Sequence, residues 1–566
     1  MTTTSTARSL MSGTITRYVL LGVNIAIGIF LMPFTIRHLG TSEYGLWMLV
    51  ASMTYYFQLL DLGYGSGLVR QVASADARGD VDEVNRILST FVVVYSIIGF
   101  VALAGVAATI LWVVPRFPDL TPGQVTRAQA LLALMGARIA IGFPMTVFGA
   151  ATRARQRFAL NTSVAIAVAL VNAGVTYLVL ASGHGLVALV SATTAVGLAS
   201  YLVYAWTAKQ AFPPLRVRPS GFSRRLVREV TTFSVYFFVI DIAVQIGFNL
   251  DNLVIAGAIG TSAVAVYAVS ARLADFQRQL CNQFNGMLFP VVVRLGARGH
   301  AGALRDMTVD GTRIALTLAA GATICLLGFA SPLIRRWMGP GFDGSVAPLY
   351  FLAIAGIVIV AQGPIGNVLL GTGRHRLVAF VALGEAFVNL ALSLVLVRRY
   401  GMAGVAAGTA LPIVAANVFI IVPAACRQVG LTIGSFARLV AVAPIVGAVP
   451  AILACVAFRV MAPPDALLAI LAEGAAVGLV YAVSVCAFGL ERGVRSRYAG
   501  HVRDVVAACL VRLPGPSFIQ GLIRGVCEGK PDATGSTTTD STTTGSSTTT
   551  GRTIAGHATE ATGVTS

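Results

Sequence analysis

The sequence predicts an all-α polytopic membrane protein of about fourteen transmembrane helices, built as two parallel six-helix repeats with two more helices after them. Three observations predict it. Hydrophobic residues make up 56% of the 566 positions and charged residues 11%, and the mean hydropathy is +0.80, so there is too little charge to cover a soluble fold of this length. Apolar runs of roughly 18 to 25 residues, long enough for a hydrocarbon core of about 30 Å, recur from Thr14 to Leu490. Short polar connections between those runs are written twice, as in "HLGTSEYGLW" (His38 to Trp47) and "AIGTSAVAVY" (Ala258 to Tyr267).

In chain order the spans fall near 15–36, 43–62, 88–114, 128–150, 160–181, 186–208, 230–257, 262–290, 313–334, 346–370, 378–397, 402–425, 433–458 and 466–489. An even number puts both termini on one side, and arginine identifies that side. With the N-terminus in the cytoplasm, the inside connections hold Arg70, Arg78, Arg86, Arg153, Arg155, Arg157, the Lys209–Arg228 cluster, Arg294, Arg298, Arg305, Arg374 and Arg376. The outside connections hold fewer, Arg37, Arg116, Arg127, Arg335, Arg336, Arg398, Arg399 and Arg459, and the exceptions to the alternation are Arg335-Arg336 and Arg398-Arg399, which snorkel or face an anionic substrate. The net charge of +18 would indicate nucleic acid in a soluble protein; here it belongs to basic loops on one membrane face, and no nucleic acid partner is expected.

The two halves echo each other beyond Gly-Thr-Ser. "RARQRF" (Arg153 to Phe158) after span 4 matches "GRHRL" (Gly373 to Leu377) after span 10. "ALVNAGVTYLVL" (Ala169 to Leu180) in span 5 matches "AFVNLALSLVLV" (Ala386 to Val397) in span 11. Six spans is an even number, so the copies enter the membrane in the same orientation, and a substrate site between them is the usual consequence. The chain therefore divides into a first lobe (1–208), a basic cytoplasmic linker (209–229), a second lobe (230–425), an added helix pair (426–490), a basic segment able to lie on the cytoplasmic leaflet (491–530) and a Thr/Ser/Gly tail (531–566) too poor in apolar surface to fold.

A charge in the hydrocarbon region costs about 2.5 kcal/mol or more, so each such charge needs a partner or a cavity. In span 7, Asp241, Gln245, Asn249 and Asn252 share one helix face, with Asp251 beside them. In span 8, Arg272, Asp275, Gln279 and Asn282 share another, and Arg278 lies off that line. Two readings compete: a water-filled cavity of mixed charge, or local pairing of Arg272 with Asp275 on one helix. The Gln and Asn that extend both stripes favour the cavity. Elsewhere Asp61 closes span 2, Arg138 sits in mid-span 4, Arg17 begins span 1 and Glu385 stands in span 11. The seven cysteines form no CxxC and read as buried hydrophobes, and no metal or nucleophile constellation appears. "GYGSG" (Gly63 to Gly67) follows no strand and lacks a P-loop lysine, so it reads as a turn; the acids of "DVD" (Asp80 to Asp82) suit a helix start. The first apolar run reads as a retained anchor, not a cleaved leader.

"PFTIRHLGTSEYGLWMLVASMTYYFQLLDLGYGSGLVRQVA" (Pro33 to Ala73) resembles the N-terminal signature of bacterial polysaccharide exporters of the O-antigen flippase type. Leu39, Gly40, Tyr44, Gly45 and Leu46 match its first motif, and Asp61, Leu62, Gly63 and Gly65 its second. Val266 to Leu295, with the closing Pro290, resembles the family's eighth span, and the likeness covers roughly residues 10 to 490. The superfamily also holds multidrug and toxin extrusion antiporters and lipid II flippases.

The resemblance implies a V-shaped, cofactor-free transporter with alternating access in the cytoplasmic membrane, both termini inside. It would move an undecaprenyl-pyrophosphate-linked oligosaccharide from the inner to the outer face, as a monomer alongside glycosyltransferases and a polysaccharide polymerase. In that setting Arg138, Arg272 and Arg278 attract pyrophosphate, and Gln245, Asn249 and Gln279 bond the glycan. Asp241, Asp251 and Asp275, with Asp61 and Glu385, position those cations or bind a coupling ion. A drug antiporter is the rival that the acids favour and the arginines oppose; a lipid II flippase differs in its glycan. A membrane glycosyltransferase or polymerase needs a large outer loop, and the longest, near 115–127, is too short.

Overall fold

The computed structural model describes residues 3–61, 63–118, 120–155, 158–218, 221–228, 249–297, 301–461 and 466–489. Most of span 7, the basic segment 491–530 and the tail 531–566 lie outside the described residues. Among those described, every assigned element is a helix, and ten helices are long and apolar enough to cross a membrane.

The first half contains α1 (Thr3–Gln58), α2 (Tyr64–Ala77), α3 (Val81–Ala108), α4 (Pro122–Ala154), α5 (Phe158–Ala181) and α6 (Leu186–Ala211). After a helical stretch at 249–258 come α7 (Thr261–Ala297), α8 (Ala301–Gly328), α9 (Ala330–Met338), α10 (Val346–Gly371), α11 (His375–Ala416), α12 (Val422–Gln428), α13 (Ile433–Met461) and α14 (Leu467–Ser484). Two of these are broken by a kink within their length. α1 turns at Gly40 (φ 81°) and α11 at Gly401 (φ 58°), so each holds two of the predicted spans. Only glycine takes such angles without strain. The same two connections in the opposite halves also carry left-handed glycines, Gly260 (φ 117°) and Gly183 (φ 79°). The doubled Gly-Thr-Ser is thus a doubled turn.

Local chemistry explains the helix starts. Asp80 caps α3 by accepting from the Glu83 amide at 2.9 Å. Thr121 and Gln124 form a capping box at α4, with Pro122 at its first position. Gly63 (φ 71°) turns the chain into α2.

The linker after α6 is held against α3. Asn85 donates to the Pro214 carbonyl (3.1 Å) and accepts from the Arg216 amide (2.8 Å). Ser89 accepts from the Arg218 amide at 2.9 Å, and Thr90 accepts from the Ser223 amide at 3.1 Å. Arg155 pairs with Asp76 at 2.7 Å, donates to the Ala211 carbonyl and lies over the Phe212 ring. In the Arg335-Arg336 pair, Arg335 is satisfied by a two-pronged bond to Asp343 (2.6 and 3.2 Å). The five described cysteines are free thiols.

The halves meet along α1 and α7. Leu46, Leu49 and Val50 beyond the Gly40 turn form one dry core with Ile255, Val264 and Tyr267. Gly45 lies so close to the Thr261 carbonyl that no side chain fits between them. Asn252 donates to Ser52 at 2.8 Å, and Trp337 of α9 donates to the Ile29 carbonyl at 2.6 Å. The added pair α13–α14 packs on α8, where Tyr481 donates to the Thr317 carbonyl at 2.9 Å.

Gly45→Ala is expected to cost about 1–3 kcal/mol through overpacking, read as a lower melting temperature of the purified protein. Gly22→Ala, with nothing within 4 Å of the added carbon, is the matched control and should leave stability level or slightly raised.

Candidate functional site

A cavity of about 450 Å3 opens beside the seam between the halves. The wall from the first half, including Gly28, Met32, Tyr44, Trp47 and Thr176, carries no charge. Among the described residues that line it, every charge comes from the second half: Asp251 from the 249–258 segment, and Arg272, Asp275 and Arg278 from α7.

The four charged groups are handled differently. Asp275 pairs with Arg278 at 2.7 Å and accepts from Gln279 at 2.5 Å. The expected alternative, pairing with Arg272, does not occur. Arg278 at i+3 and Gln279 at i+4 both lie one turn away on the helix surface, and each occupies one oxygen of the carboxylate. Arg272 instead stands over the Phe276 ring, 4.6 Å from its centre, beside Gly28 of α1. A carbon added at Gly28 would lie 2.6 Å from the Phe276 ring and 3.0 Å from the guanidinium, so glycine there makes room for the ring and the cation stacked on it. Among the described residues Arg272 has no carboxylate partner and no hydrogen bond. A half-buried, ring-supported guanidinium in a cavity is poised for an anion.

Asp251 is buried at 4% exposure and has no cationic neighbour in bonding reach among the described residues. Tyr267 donates to it at 2.5 Å and Thr409 at 3.0 Å. The Thr409 hydroxyl also approaches Asn389 Oδ1 (3.3 Å) and the Val405 carbonyl (3.3 Å), and Ser393 donates to Asn389 at 3.0 Å. One carboxylate, three hydroxyls, an amide oxygen and a main-chain carbonyl make an oxygen-only nest that joins the 249–258 segment, α7 and both limbs of α11. Such ligands suit a hard cation or a proton. No group of three or more His, Cys, Asp or Glu that could hold a metal ion occurs among the described residues.

The remaining predicted residues fall elsewhere. Arg138 and Asp61 line a separate cavity of about 470 Å3 between the second limb of α1, α4 and α6. Asp61 accepts from Tyr95 at 2.6 Å and from the Gly65 amide at 3.4 Å, while the Arg138 guanidinium packs on Gly197. Glu385 on α11 lines neither cavity, and its Oε1 is buried without a partner among the described residues. Gln279 serves Asp275, and Asn249 is not among the residues that line the central cavity. Asp241 and Gln245 lie outside the described residues.

Sequence reasoning missed Tyr267, Thr409 and Asn389. Asn389 stood in the repeated "VN" of spans 5 and 11, yet a repeat announces shared architecture, not a carboxylate brought from 138 positions away in sequence. Replacing Tyr267 by Phe strips Asp251 of its shorter hydrogen bond. It should destabilise the protein by about 1–3 kcal/mol, and a Tyr267/Asp251 double-mutant cycle in thermal unfolding should reveal coupling between the two.

Comparison with known proteins places the chain. A family model described as "Polysaccharide biosynthesis protein" matches residues 11–295. The protein named "Uncharacterized membrane protein EpsK" of Bacillus subtilis (strain 168) is 24% identical over 479 residues, covering 81% of this chain and 92% of that protein. The lipid II flippase MurJ in an inward closed conformation superimposes with a TM-score of 0.63 at 13% identity, covering 83% of this chain and 97% of MurJ. An inward-facing multidrug resistance MATE transporter of the MOP superfamily gives 0.62 at 14% identity, covering 75% of this chain and 99% of that one. At such identities the two structures establish the fold, that of a polytopic MOP-type transporter.

Proposed function

We propose that this chain, which belongs to the polysaccharide biosynthesis protein family, flips an isoprenoid-pyrophosphate-linked oligosaccharide from the cytoplasmic to the outer face of the cytoplasmic membrane. The coarse statement stands already: it is a multi-pass integral membrane protein with a transporter fold. The finer one is carried by Arg272, a mid-membrane guanidinium supported by an aromatic ring and left without a carboxylate in a cavity between the halves. A half-buried cation without a carboxylate partner is expensive to keep among apolar helices, and a diphosphate that lends it charge-assisted hydrogen bonds makes the same cost productive.

The cavity falls within the usual range of small-molecule sites, about 300–1,000 Å3, so it fits the charged headgroup, with the glycan and tail extending beyond it. Arg278, tied to Asp275, turns toward the same headgroup. The span-7 stripe of Asp241, Gln245 and Asn249 is assigned to sugar hydroxyls and charge positioning. An apolar groove of about 460 Å3 between α8, α10 and α13 offers the tail a path, with Leu327, Ile357 and Ile452 in its walls. The Asp251 nest is assigned to the coupling cation, proton or sodium, because occupying it would pull on three elements at once. Arg138 and Asp61, in their own cavity, are assigned to the motions of the first half, not to headgroup contact.

One observation favours a second reading. The Asp251 nest is also what a cation-coupled drug antiporter needs. Cells depleted of the protein separate the two. On the flippase reading, a completed lipid-linked glycan accumulates where a periplasmic glycan-modifying enzyme cannot reach it. Unchanged lipid-linked glycans together with sensitivity to cationic dyes would establish the antiporter instead.

Restoring the cells with Arg272→Gln at equal membrane level should lower export about ten- to a hundredfold, with Arg272→Lys intermediate because the charge remains but the fork is lost. Asp251→Asn should flip without responding to collapse of either a sodium or a proton gradient, whereas the wild type loses transport when one of them is collapsed.

A further inference from the structure

A third polar cavity, of about 330 Å3, lies inside the first half, away from the central one. Arg17 of α1, Arg153 of α4, Asn161 of α5 and Tyr201 and Tyr204 of α6 line it. Asn161 fixes one wall: it accepts from Thr152 at 2.9 Å and donates to the Gly149 carbonyl at 3.3 Å, which ties α5 to α4. Gly149 leaves the space, since a carbon added there would meet nothing within 4 Å. Tyr201 donates to the Arg138 carbonyl at 3.4 Å and so stands as the partition from the Asp61 cavity.

The charge in this cavity is of one sign. No carboxylate is among the described residues that line it. Arg153 makes no ion pair or hydrogen bond among the described residues, and neither does the Tyr204 hydroxyl beside it. Two guanidiniums and a free phenol around an open space match a group with several anionic oxygens, and the planar fork of arginine fits phosphate best. Arg153 stands in the last turn of α4 and Arg17 inside α1, at the start of the first predicted span; the arginine distribution assigns both to the cytoplasmic side, where anionic headgroups concentrate.

We propose that this cavity binds a phosphate-bearing lipid headgroup of the cytoplasmic leaflet, at a site separate from the transport cavity. The phosphate has two possible sources: an anionic phospholipid of the surrounding membrane, or an isoprenoid pyrophosphate held before transport. The binding claim stands whichever cargo the central cavity takes.

The test is native mass spectrometry of the full chain released from phosphatidylcholine nanodiscs and titrated with short-chain phosphatidylglycerol or with farnesyl pyrophosphate. The Arg17→Gln/Arg153→Gln double variant should weaken binding of at least one probe about tenfold or more, and Tyr204→Phe alone by a few fold. Arg272→Gln should leave this site filled. Loss confined to phosphatidylglycerol identifies a membrane phospholipid; loss extending to farnesyl pyrophosphate identifies a waiting site for the isoprenoid. If the double variant cannot be purified, Arg153→Lys and Tyr204→Phe carry the test, since each removes donors with little change of volume. Wild-type binding of both probes in these variants overturns the proposal. Failure of Arg272→Gln in export with this site intact bears on the transport reading alone.

Discussion

The arrangement depends on one close approach: the chain just past the Gly40 turn pressed against the start of α7, with Gly45 on the Thr261 carbonyl. Without a side chain at 45 the two halves come near enough for Leu46, Leu49 and Val50 to share a dry core with Ile255, Val264 and Tyr267. Apolar packing gives little advantage inside a bilayer, where lipid tails are equally apolar, so close contact through small residues has to hold the halves together. Sealing the seam at this level leaves the cavity beside it, with an uncharged wall from one half and a charged wall from the other. The cavity is therefore a by-product of where the halves touch and where they do not.

The second constraint is electrostatic, and the protein meets it in several ways. Asp275 is neutralised within one helix by Arg278 and Gln279. Asp61 and Asp251 are held by tyrosine hydroxyls in place of cations. Arg272 is supported by a ring and has no carboxylate, and Arg153 is left open at the edge of a cavity. Among the described residues these three carboxylates have internal partners, whereas Glu385 Oε1 and the guanidiniums of Arg272 and Arg153 have none, and it is the unpartnered guanidinium in the central cavity that underlies the proposal of an anionic cargo. The docked linker fits the same economy of contacts. Asn85, Ser89 and Thr90 grip main-chain groups of 214–223, so the basic residues of that stretch are carried on a fixed support.

How much of this was legible in the sequence differs by level. The helical membrane class followed from composition and run length, because crossing a hydrocarbon layer imposes a length and a polarity that no packing detail overrides. The turns at Gly40 and Gly260 were legible because a left-handed residue asks for glycine by name. The polar stripe on span 8 was legible because helical periodicity puts Arg272 and Asp275 on one side. Partnership was not: Arg272, Arg278 and Gln279 are all within a turn or two of Asp275, and only side-chain geometry against α1 sends Arg272 to Phe276 and Gly28.

By itself, then, the sequence determined that this is a polytopic helical membrane protein with glycines at its turns and polar residues set at helical spacing within its apolar spans. Those features are local, set by periodicity, propensity and the thickness of a bilayer. Only the tertiary structure decided that Arg138 stands apart from Arg272, that Asp251 is met by Thr409 from 158 residues away, and that Arg17 and Arg153 share one cavity. Those are contacts between helices distant in the chain, and helix spacing along a sequence carries no information about which faces will be brought together.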